Sequence, residues 1–129
     1  MFSMVKLSVD KGNDAGETYR FDGRREFVVG RAGDCDIQVP DTNDYKDISL
    51  HHCVFHIEPP KIWLSVLESR NGTFVNEMKI SPTVGQFRLY DEDEVQLGRL
   101  RMSVHIVEHD AAESFELAGA FDNGFETRE

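Results

Sequence analysis

The chain contains only two cysteines, Cys35 and Cys53, among 129 residues. Two cysteines are too few for a disulfide scaffold, and they fit a reducing cytoplasmic setting, with the nucleus not excluded. No apolar run approaches the roughly 18 residues of a membrane-spanning helix, so no membrane partner is expected. The formal net charge is −10, whereas a general nucleic-acid binder needs a dense basic surface, so no nucleic-acid partner is expected either.

The acidic residues are unevenly distributed along the chain. Seven acids and one base fall between Glu108 and Glu129, a net charge of −6, so residues 1–107 carry only −4. A net charge this small leaves room for a local positive site. We therefore expect one domain over residues 1–109 and an acidic tail or linker over residues 110–129 that need not be fully ordered.

Apolar and polar residues alternate with a period of about two over most of the first 107 residues, which is typical of half-buried β-strands. Val5–Val9 and Ile62–Leu67 are two such segments. Turn signals such as Asp22-Gly23, Pro59-Pro60 and Asn71-Gly72 separate them. About ten short strands, spaced roughly 8–12 residues apart, predict an all-β sandwich with no helix required before residue 110.

The stretch Ser-Leu-His-His-Cys-Val-Phe-His at residues 49–56 holds three of the five histidines. On a strand, His52 and His56 would lie ~13 Å apart, too far to share an ion, whereas His51 and Cys53 are an i, i+2 pair that could touch one metal. A structural zinc site usually needs four ligands, and no CxxC or HxxxH pair exists elsewhere, so we expect no metal or other cofactor. A Ser49–His52 nucleophile pair lacks the G-x-S-x-G elbow that would support hydrolase chemistry.

Groups that can bind an oxyanion fall on three expected loops. Arg31 follows Gly30 at the end of an apolar strand, Ser49 opens a turn, and Asn71 lies in a polar turn between strands. A guanidinium provides a planar fork, serine a hydroxyl and loop N–H groups fixed dipoles, which are the donors that a phosphate needs. The asparagine side chain can bracket an extended peptide backbone. Taken alone, however, Asn71-Gly72 is better explained as a hairpin turn.

Five short motifs occur in a fixed order along the chain. They are Gly30-Arg31, Asp36-Ile37-Gln38-Val39, Ser49-x-x-His52, Leu67-x-Ser69-x-Asn71-Gly72-Thr73-Phe74-Val75-Asn76 and Leu89-x-x-x-Asp93-x-Val95-x-Leu97-Gly98. Each motif is weak alone, but the five in register resemble the forkhead-associated (FHA) domain from about residue 5 to residue 107. The resemblance implies an eleven-stranded β-sandwich of the FHA/SMAD-like type. Its loops at one end would bind phosphothreonine peptides, and no enzymatic activity would be present.

The resemblance also implies a role for each matching residue. Arg31 would grip the phosphate, and the hydroxyl of Ser49 would donate a hydrogen bond to it. Asn71 would hydrogen-bond the ligand backbone beside the phosphothreonine. His52 would hold the Ser49 loop from behind as a structural residue.

The other loop residues have supporting or altered roles. Gly30 and Gly72 would permit the loop geometry. Leu50 stands where the family often has arginine or asparagine, so only its backbone N–H is left to reach the phosphate. We infer that Arg70 brings a second guanidinium near the phosphate instead, and a surface arginine without such a role is the alternative.

The expected partner is a phosphothreonine-containing protein or peptide. A Ser/Thr protein kinase or its substrate would carry this phosphothreonine. His51 is expected at the rim. Asp47 stands where the family often places a residue that selects the third position after the phosphothreonine, so the resemblance implies a rim position for Asp47 and poor tolerance of acidic residues at that position of the ligand. The alternative function, which Leu50 keeps open, is an FHA scaffold for phosphate-independent protein–protein interaction. A phosphorylated Thr127 would be a candidate ligand for self-association, and an inert linker end is the alternative.

Overall fold

The computed structural model describes residues 2–12, 15–40, 45–46, 48–67 and 72–109. Within these ranges no helix is long and apolar enough to cross a bilayer, and a short 3₁₀ turn occupies Pro82–Val84. The described chain forms eleven strands. They are β1 (Phe2–Lys11), β2 (Thr18–Phe21), β3 (Arg25–Gly30), β4 (Ile37–Gln38), β5 (Cys53–Glu58), β6 (Lys61–Val66), β7 (Thr73–Val75), β8 (Met78–Ile80), β9 (Gln86–Leu89), β10 (Glu94–Leu97) and β11 (Leu100–His109).

The strands pair into two sheets. One sheet has six strands in the order β2-β1-β11-β10-β7-β8, and the other has five in the order β4-β3-β5-β6-β9. Only the short β3–β4 pair among these described strands is parallel. The predicted all-β sandwich of eleven strands is therefore confirmed, whereas the predicted tail over residues 110–129, with Thr127, lies outside the described residues.

Alternation of side chains explains how the two sheets form one core. On β5 the side chains of Cys53, Phe55 and Ile57 are buried, while Val54 and His56 between them are only partly covered. Successive side chains of a strand point to opposite faces, so one face of each sheet is apolar and packs against the other sheet. Burying one such side chain contributes about 1.5–3 kcal/mol, which makes this packing the main stabilising term of the domain.

Strand pairing brings several loops to one end of the sandwich. Val29 near the end of β3 pairs with Cys53 at the start of β5, which in turn pairs with Val66 at the end of β6. The segments after β3, before β5 and after β6 therefore leave the five-stranded sheet at the same edge. In the six-stranded sheet Leu97 pairs with Leu100, so the β10–β11 turn closes one end of β11, while His109, paired with Phe2, lies at the other.

Candidate functional site

The segments after β3 and before β5 are joined by backbone hydrogen bonds. The N–H of Arg31 donates to the carbonyl of Ser49 at 3.1 Å, and the N–H of Ala32 donates to the carbonyl of Leu50 at 3.0 Å. The Nε of Arg31 donates to the Ile48 carbonyl at 2.5 Å. This last contact fixes the orientation of the guanidinium plane beside the serine loop.

Gly30 is required by the closeness of these two segments. A Cβ built on Gly30 would lie 2.1 Å from the Leu50 carbonyl oxygen and 3.0 Å from the Cα of His51. Real Cβ atoms do not approach a carbonyl oxygen this closely, so any side chain would push the serine loop away from Arg31. The glycine is therefore explained by steric contact with the loop and not by an unusual backbone conformation.

Two donors of the serine loop remain available for a ligand. The Ser49 hydroxyl and the Leu50 N–H have no hydrogen-bond acceptor among the described residues. Leu50 is 54% exposed, so this part of the serine loop lies at the surface. Arg31, Ser49 and Leu50 thus present a cationic fork, a hydroxyl and an amide at one end of the sandwich, a donor set suited to an oxyanion.

His52 lies behind this loop and is fully buried. Its Nδ1 accepts a hydrogen bond from the Ser49 N–H at 3.1 Å, and its Nε2 lies 3.2 Å from the Gly72 carbonyl. These partners require a neutral ring with its hydrogen on Nε2, because Nδ1 must accept and Nε2 must donate. Burial lowers the pKa of His52 below 6.5, which keeps the ring in this neutral form.

Gly72 is the residue through which the turn before β7 joins the site. Its φ is 83°, in the left-handed region that favours glycine. The carbonyl of Gly72 accepts the His52 bond, so one buried imidazole joins the Ser49 loop to the turn before β7. This linkage couples two loops whose bonded residues lie 20 positions apart in the sequence.

The model of the FHA domain family matches residues 27–98. This range contains more than half of the chain and includes Arg31, Ser49, His52 and Gly72. The chain belongs to the FHA domain family. FHA domains are protein-interaction modules rather than enzymes.

A relative was also identified by sequence. The glycogen accumulation regulator GarA of Mycolicibacterium smegmatis is 31% identical over 96 residues, which cover 74% of this FHA chain and 55% of GarA. The present chain therefore spans about half the length of that relative.

Solved FHA domains share the fold. One, from a structural and functional study of phosphothreonine-dependent FHA domain interactions, is 26% identical with a TM-score of 0.63, covering 83% of this chain and 98% of its own. The FHA domain of FhaA, complexed with the intracellular domain of Rv3910, is 27% identical with a TM-score of 0.62, covering 78% and 99%. An Arabidopsis thaliana FHA domain at 23% identity and a TM-score of 0.70 covers 85% and 91%, and shows the fold alone.

Two contacts of this FHA domain were not anticipated from the sequence. The exposed His51, expected at the rim, has its Nε2 2.8 Å from a carboxylate oxygen of Asp34, and this hydrogen bond lowers the pKa of Asp34. The Cys35 thiol donates to the Leu50 carbonyl at 3.3 Å. Asp34 and Cys35 both belong to the segment after β3, so this segment gives the serine loop two side-chain contacts in addition to that of His52. The spacing of 15 or more residues in each pair gives no local signal.

The structure shows where the candidate metal ligands near His51 lie. Cys53 is fully buried in the core, where desolvation raises the pKa of its thiol to about 12, whereas His51 is exposed, so the two do not form a pair at the surface. Asp34, Cys35 and His51 do bring ligand atoms within 4.8 Å of one another. Burial raises the pKa of the Cys35 thiol, which disfavours the thiolate that a metal requires.

Three predicted site residues are not placed by the structure. Asp47, Arg70 and Asn71 lie outside the described residues. Their predicted roles at the rim, at the phosphate and at the ligand backbone stay predictions.

Proposed function

We propose that this FHA domain binds phosphothreonine-containing peptides at the end formed by Arg31, Ser49 and Leu50, without catalysing a reaction. The observation that carries the proposal is the pair of loop donors, the Ser49 hydroxyl and the Leu50 N–H, that have no acceptor among the described residues and lie beside an oriented guanidinium. A phosphothreonine supplies the matching acceptors, since it carries about −1.5 to −2 charges and three oxygens.

The expected affinity follows from the number of charged hydrogen bonds. Hydrogen bonds to charged groups contribute about 1.5–3 kcal/mol each. Two or three of them, after the cost of association, give binding in the micromolar range. Arg70 would add a second guanidinium and Asn71 would bind the ligand backbone, as their positions in the family motif imply.

The partner we propose is a Ser/Thr protein kinase or its phosphorylated substrate. The phosphothreonine-dependent interactions studied for the 26% identical FHA domain support a phosphothreonine-containing partner. The complex of the FhaA FHA domain with the Rv3910 intracellular domain supports binding to a protein domain in general. A cytoplasmic setting agrees with the two free cysteines.

A degenerate phosphothreonine peptide library, with phosphoserine and unphosphorylated versions of the same peptides, tests the proposal. We expect Arg31→Ala to weaken binding at least about a hundredfold, because loss of two charged hydrogen bonds removes about 3 kcal/mol or more. Ser49→Ala should weaken binding about tenfold or more. This substitution removes a hydroxyl that bonds no described residue, so the variant should keep the fold of the original chain. Affinities are measured by fluorescence anisotropy or calorimetry.

Arg24→Ala is the matched control for charge. Its side chain is 83% exposed and lies on the turn between β2 and β3, away from the site, so phosphopeptide affinity should stay within about twofold of the original chain. If no phosphothreonine peptide binds better than its unphosphorylated counterpart, the proposal fails. A partner whose binding survives Arg31→Ala would instead favour the phosphate-independent scaffold.

A further inference from the structure

A second concave surface lies at the same end of the sandwich, on the outer face of the six-stranded sheet. It is a cavity of about 450 Å³ lined by three cations, Lys11, Arg99 and Arg101, together with Tyr45 and Gln96. Neither Arg31 nor the serine loop lines it. It is therefore a separate surface from the proposed phosphothreonine site.

Strand register explains why residues distant in sequence meet here. Lys11 at the end of β1 pairs with Arg101 on β11, and Arg101 also pairs with Gln96 on β10. The Nη2 of Arg101 lies 3.5 Å from the Gln96 amide oxygen. Arg99 lies in the turn between β10 and β11. β1, β11 and the β10–β11 turn thus contribute one cation each to the same end of the sheet.

Two of these charges, those of Lys11 and Arg101, have no acidic partner among the described residues. No acidic residue lines the cavity within the described part of the chain, and none of the described carboxylates forms an ion pair with either cation. Asp10, the neighbour of Lys11, accepts a hydrogen bond from Ser103 instead. Like charges directly opposite each other on paired strands are destabilising, so the Lys11–Arg101 pair is a cost to the fold unless an anion lies between them.

Arg101 also carries an unused donor. Its Nε is buried and has no hydrogen-bond partner among the residues that the structure describes. A buried donor without an acceptor is destabilising, because it has lost its bond to water and gained none in return. Because this atom has no surface open to the cavity, an oxyanion reaches it only if the Arg101 guanidinium shifts, and the Lys11–Arg101 charge pair is the observation that points to an oxyanion.

The cavity and the phosphothreonine site share one turn. The Tyr45 carbonyl accepts from the Ile48 N–H at 3.0 Å, and the Ile48 carbonyl accepts from Arg31. These two short links place the Tyr45 backbone on the order of 10 Å from the Arg31 guanidinium. An extended peptide advances about 3.3–3.6 Å per residue, so about three extended residues cover this distance, and up to about six do so where the peptide is bent.

We propose that the Lys11–Arg99–Arg101 cavity binds a second phosphate group carried by the same peptide, about three to six residues from the phosphothreonine. The pairing with the phosphothreonine rests on the proposed function, whereas the oxyanion site itself does not. A guanidinium fork and an ammonium group are the side chains that bind phosphate most strongly. The ligand of this domain is therefore a doubly phosphorylated segment.

Two measurements test the proposal. In the first, ¹H–¹⁵N spectra of the full chain are recorded during titration with inorganic phosphate, and we expect shifts at the Gly12, Gly98 and Arg99 amides. In the second, peptides with one phosphothreonine are compared with peptides that carry an added phosphoserine about three to six positions away on either side. At least one spacing should bind about tenfold more tightly, a gain of about 1.4 kcal/mol, and the gain should shrink as salt is added.

Two triple variants separate the cavity from general charge. Lys11→Gln/Arg99→Gln/Arg101→Gln should abolish the gain from the second phosphate and leave the affinity for singly phosphorylated peptides within about threefold. Lys6→Gln/Arg20→Gln/Arg24→Gln removes the same number of positive charges elsewhere and should keep the gain.

The outcomes distinguish the two proposals. Absence of a gain at every spacing, or a gain that survives in the first triple variant, overturns the second phosphate site. If singly phosphorylated peptides do not bind but phosphate still shifts the cavity amides, the function proposed above fails and the oxyanion site stands. If the cavity amides do not shift with phosphate or with any doubly phosphorylated peptide, the oxyanion site itself is wrong.

Discussion

At the scale of single residues, the serine loop depends on the tautomer of His52. Its Nδ1 must stay unprotonated to accept from the Ser49 N–H. Protonation would place a hydrogen on Nδ1 against that N–H and would charge a buried ring, and both effects are costly. The conformation of the serine loop therefore requires a neutral imidazole at His52.

We expect the stability of the domain to fall as pH drops below about 6.5. Burial lowers the pKa of folded His52 below 6.5, so in this range the unfolded chain binds the proton and the folded chain does not. The contribution of His52 to stability is then complete above about pH 6.5 and declines as pH falls toward the folded pKa. Urea unfolding at about pH 7, 6 and 5 measures this decline.

His52→Asn is the variant that isolates this effect. The asparagine Oδ1 can take the place of Nδ1 as acceptor for the Ser49 N–H and does not titrate. Its unfolding free energy should therefore fall less between about pH 7 and pH 5 than that of the original chain. His105→Asn removes a histidine from the outer face and should retain the original decline. Equal declines in the original chain and in the His52→Asn variant would show that the imidazole is not the group responsible.

The role of His52 came from the resemblance to the FHA family, which implied a histidine behind the Ser49 loop. The structure shows the contact through which it can act, the bond from the Ser49 N–H to Nδ1, while the roles of the site residues in binding stay predictions. The contact of Arg31 with the Ile48 carbonyl and that of Cys35 with the Leu50 carbonyl were not predictable. Both join segments that lie 15 or more residues apart, and only the three-dimensional path of the loop decides them.

The β7–β8 hairpin is the element in which sequence and conformation agree least. It is joined by Asn76 and Glu77, whose φ values are 49° and 71°. Two-residue hairpin turns with both residues in the left-handed region favour Asn-Gly. Asn76 fits, and its side chain also bonds to Asp93 and to the Glu94 N–H. The Glu77 side chain is exposed and packs against no core residue, so the strain that its Cβ imposes is not offset by burial.

Glu77→Gly should stabilise the domain by about 0.5–1 kcal/mol, which is the balance of two opposing effects. A residue with a Cβ in the left-handed region costs about 1–2 kcal/mol, and the greater flexibility of glycine in the unfolded chain returns about 0.5–1 kcal/mol of that. Urea unfolding should show a higher midpoint with an unchanged slope. Glu77→Ala removes the carboxylate but keeps the Cβ, so it should be close to neutral. If alanine stabilises as much as glycine, the carboxylate and not the backbone is the cause.

The same hairpin shows why one strand was missed in the sequence. Met78–Ile80 has three residues and only Ile80 is buried, so the alternation that marks the other strands is too short to detect. The longer strand β6 carries three buried residues at a period of two, and the sequence predicted it over Ile62–Leu67, nearly its full length.

At the scale of the whole molecule, the total charge follows from the sequence, whereas the position of the charges follows from the fold. The net charge of −10 can be read from the sequence, but the meeting of Lys11, Arg99 and Arg101 cannot. Their convergence depends on the register of β1, β10 and β11, which brings together two segments from opposite ends of the domain. A positive end on an acidic chain is therefore visible only in the folded molecule.

The acidic tail should slow the association of phosphopeptides at low salt. Residues 110–129 carry a net charge of −5 and follow His109, at the end of β11 remote from the site. Twenty residues can reach up to about 70 Å, while ten residues of β11 span about 33 Å, so these charges can come near the site. A chain ending at His109 should bind a phosphothreonine peptide about threefold faster at about 10 mM salt, where the Debye length is about 30 Å. Stopped-flow fluorescence measures the rate.

The difference should vanish at about 150 mM salt, where the Debye length of about 8 Å screens all but the nearest charges. A second variant separates the effect of charge from that of bulk. It keeps residues 110–129 but has every acid among them changed to its amide, and it should associate as fast as the truncated chain. Thermal unfolding of the three chains establishes that the domain over residues 1–109 folds without the tail. Slower association after truncation would mean that the tail contributes contacts to the ligand, which would move the domain boundary beyond His109.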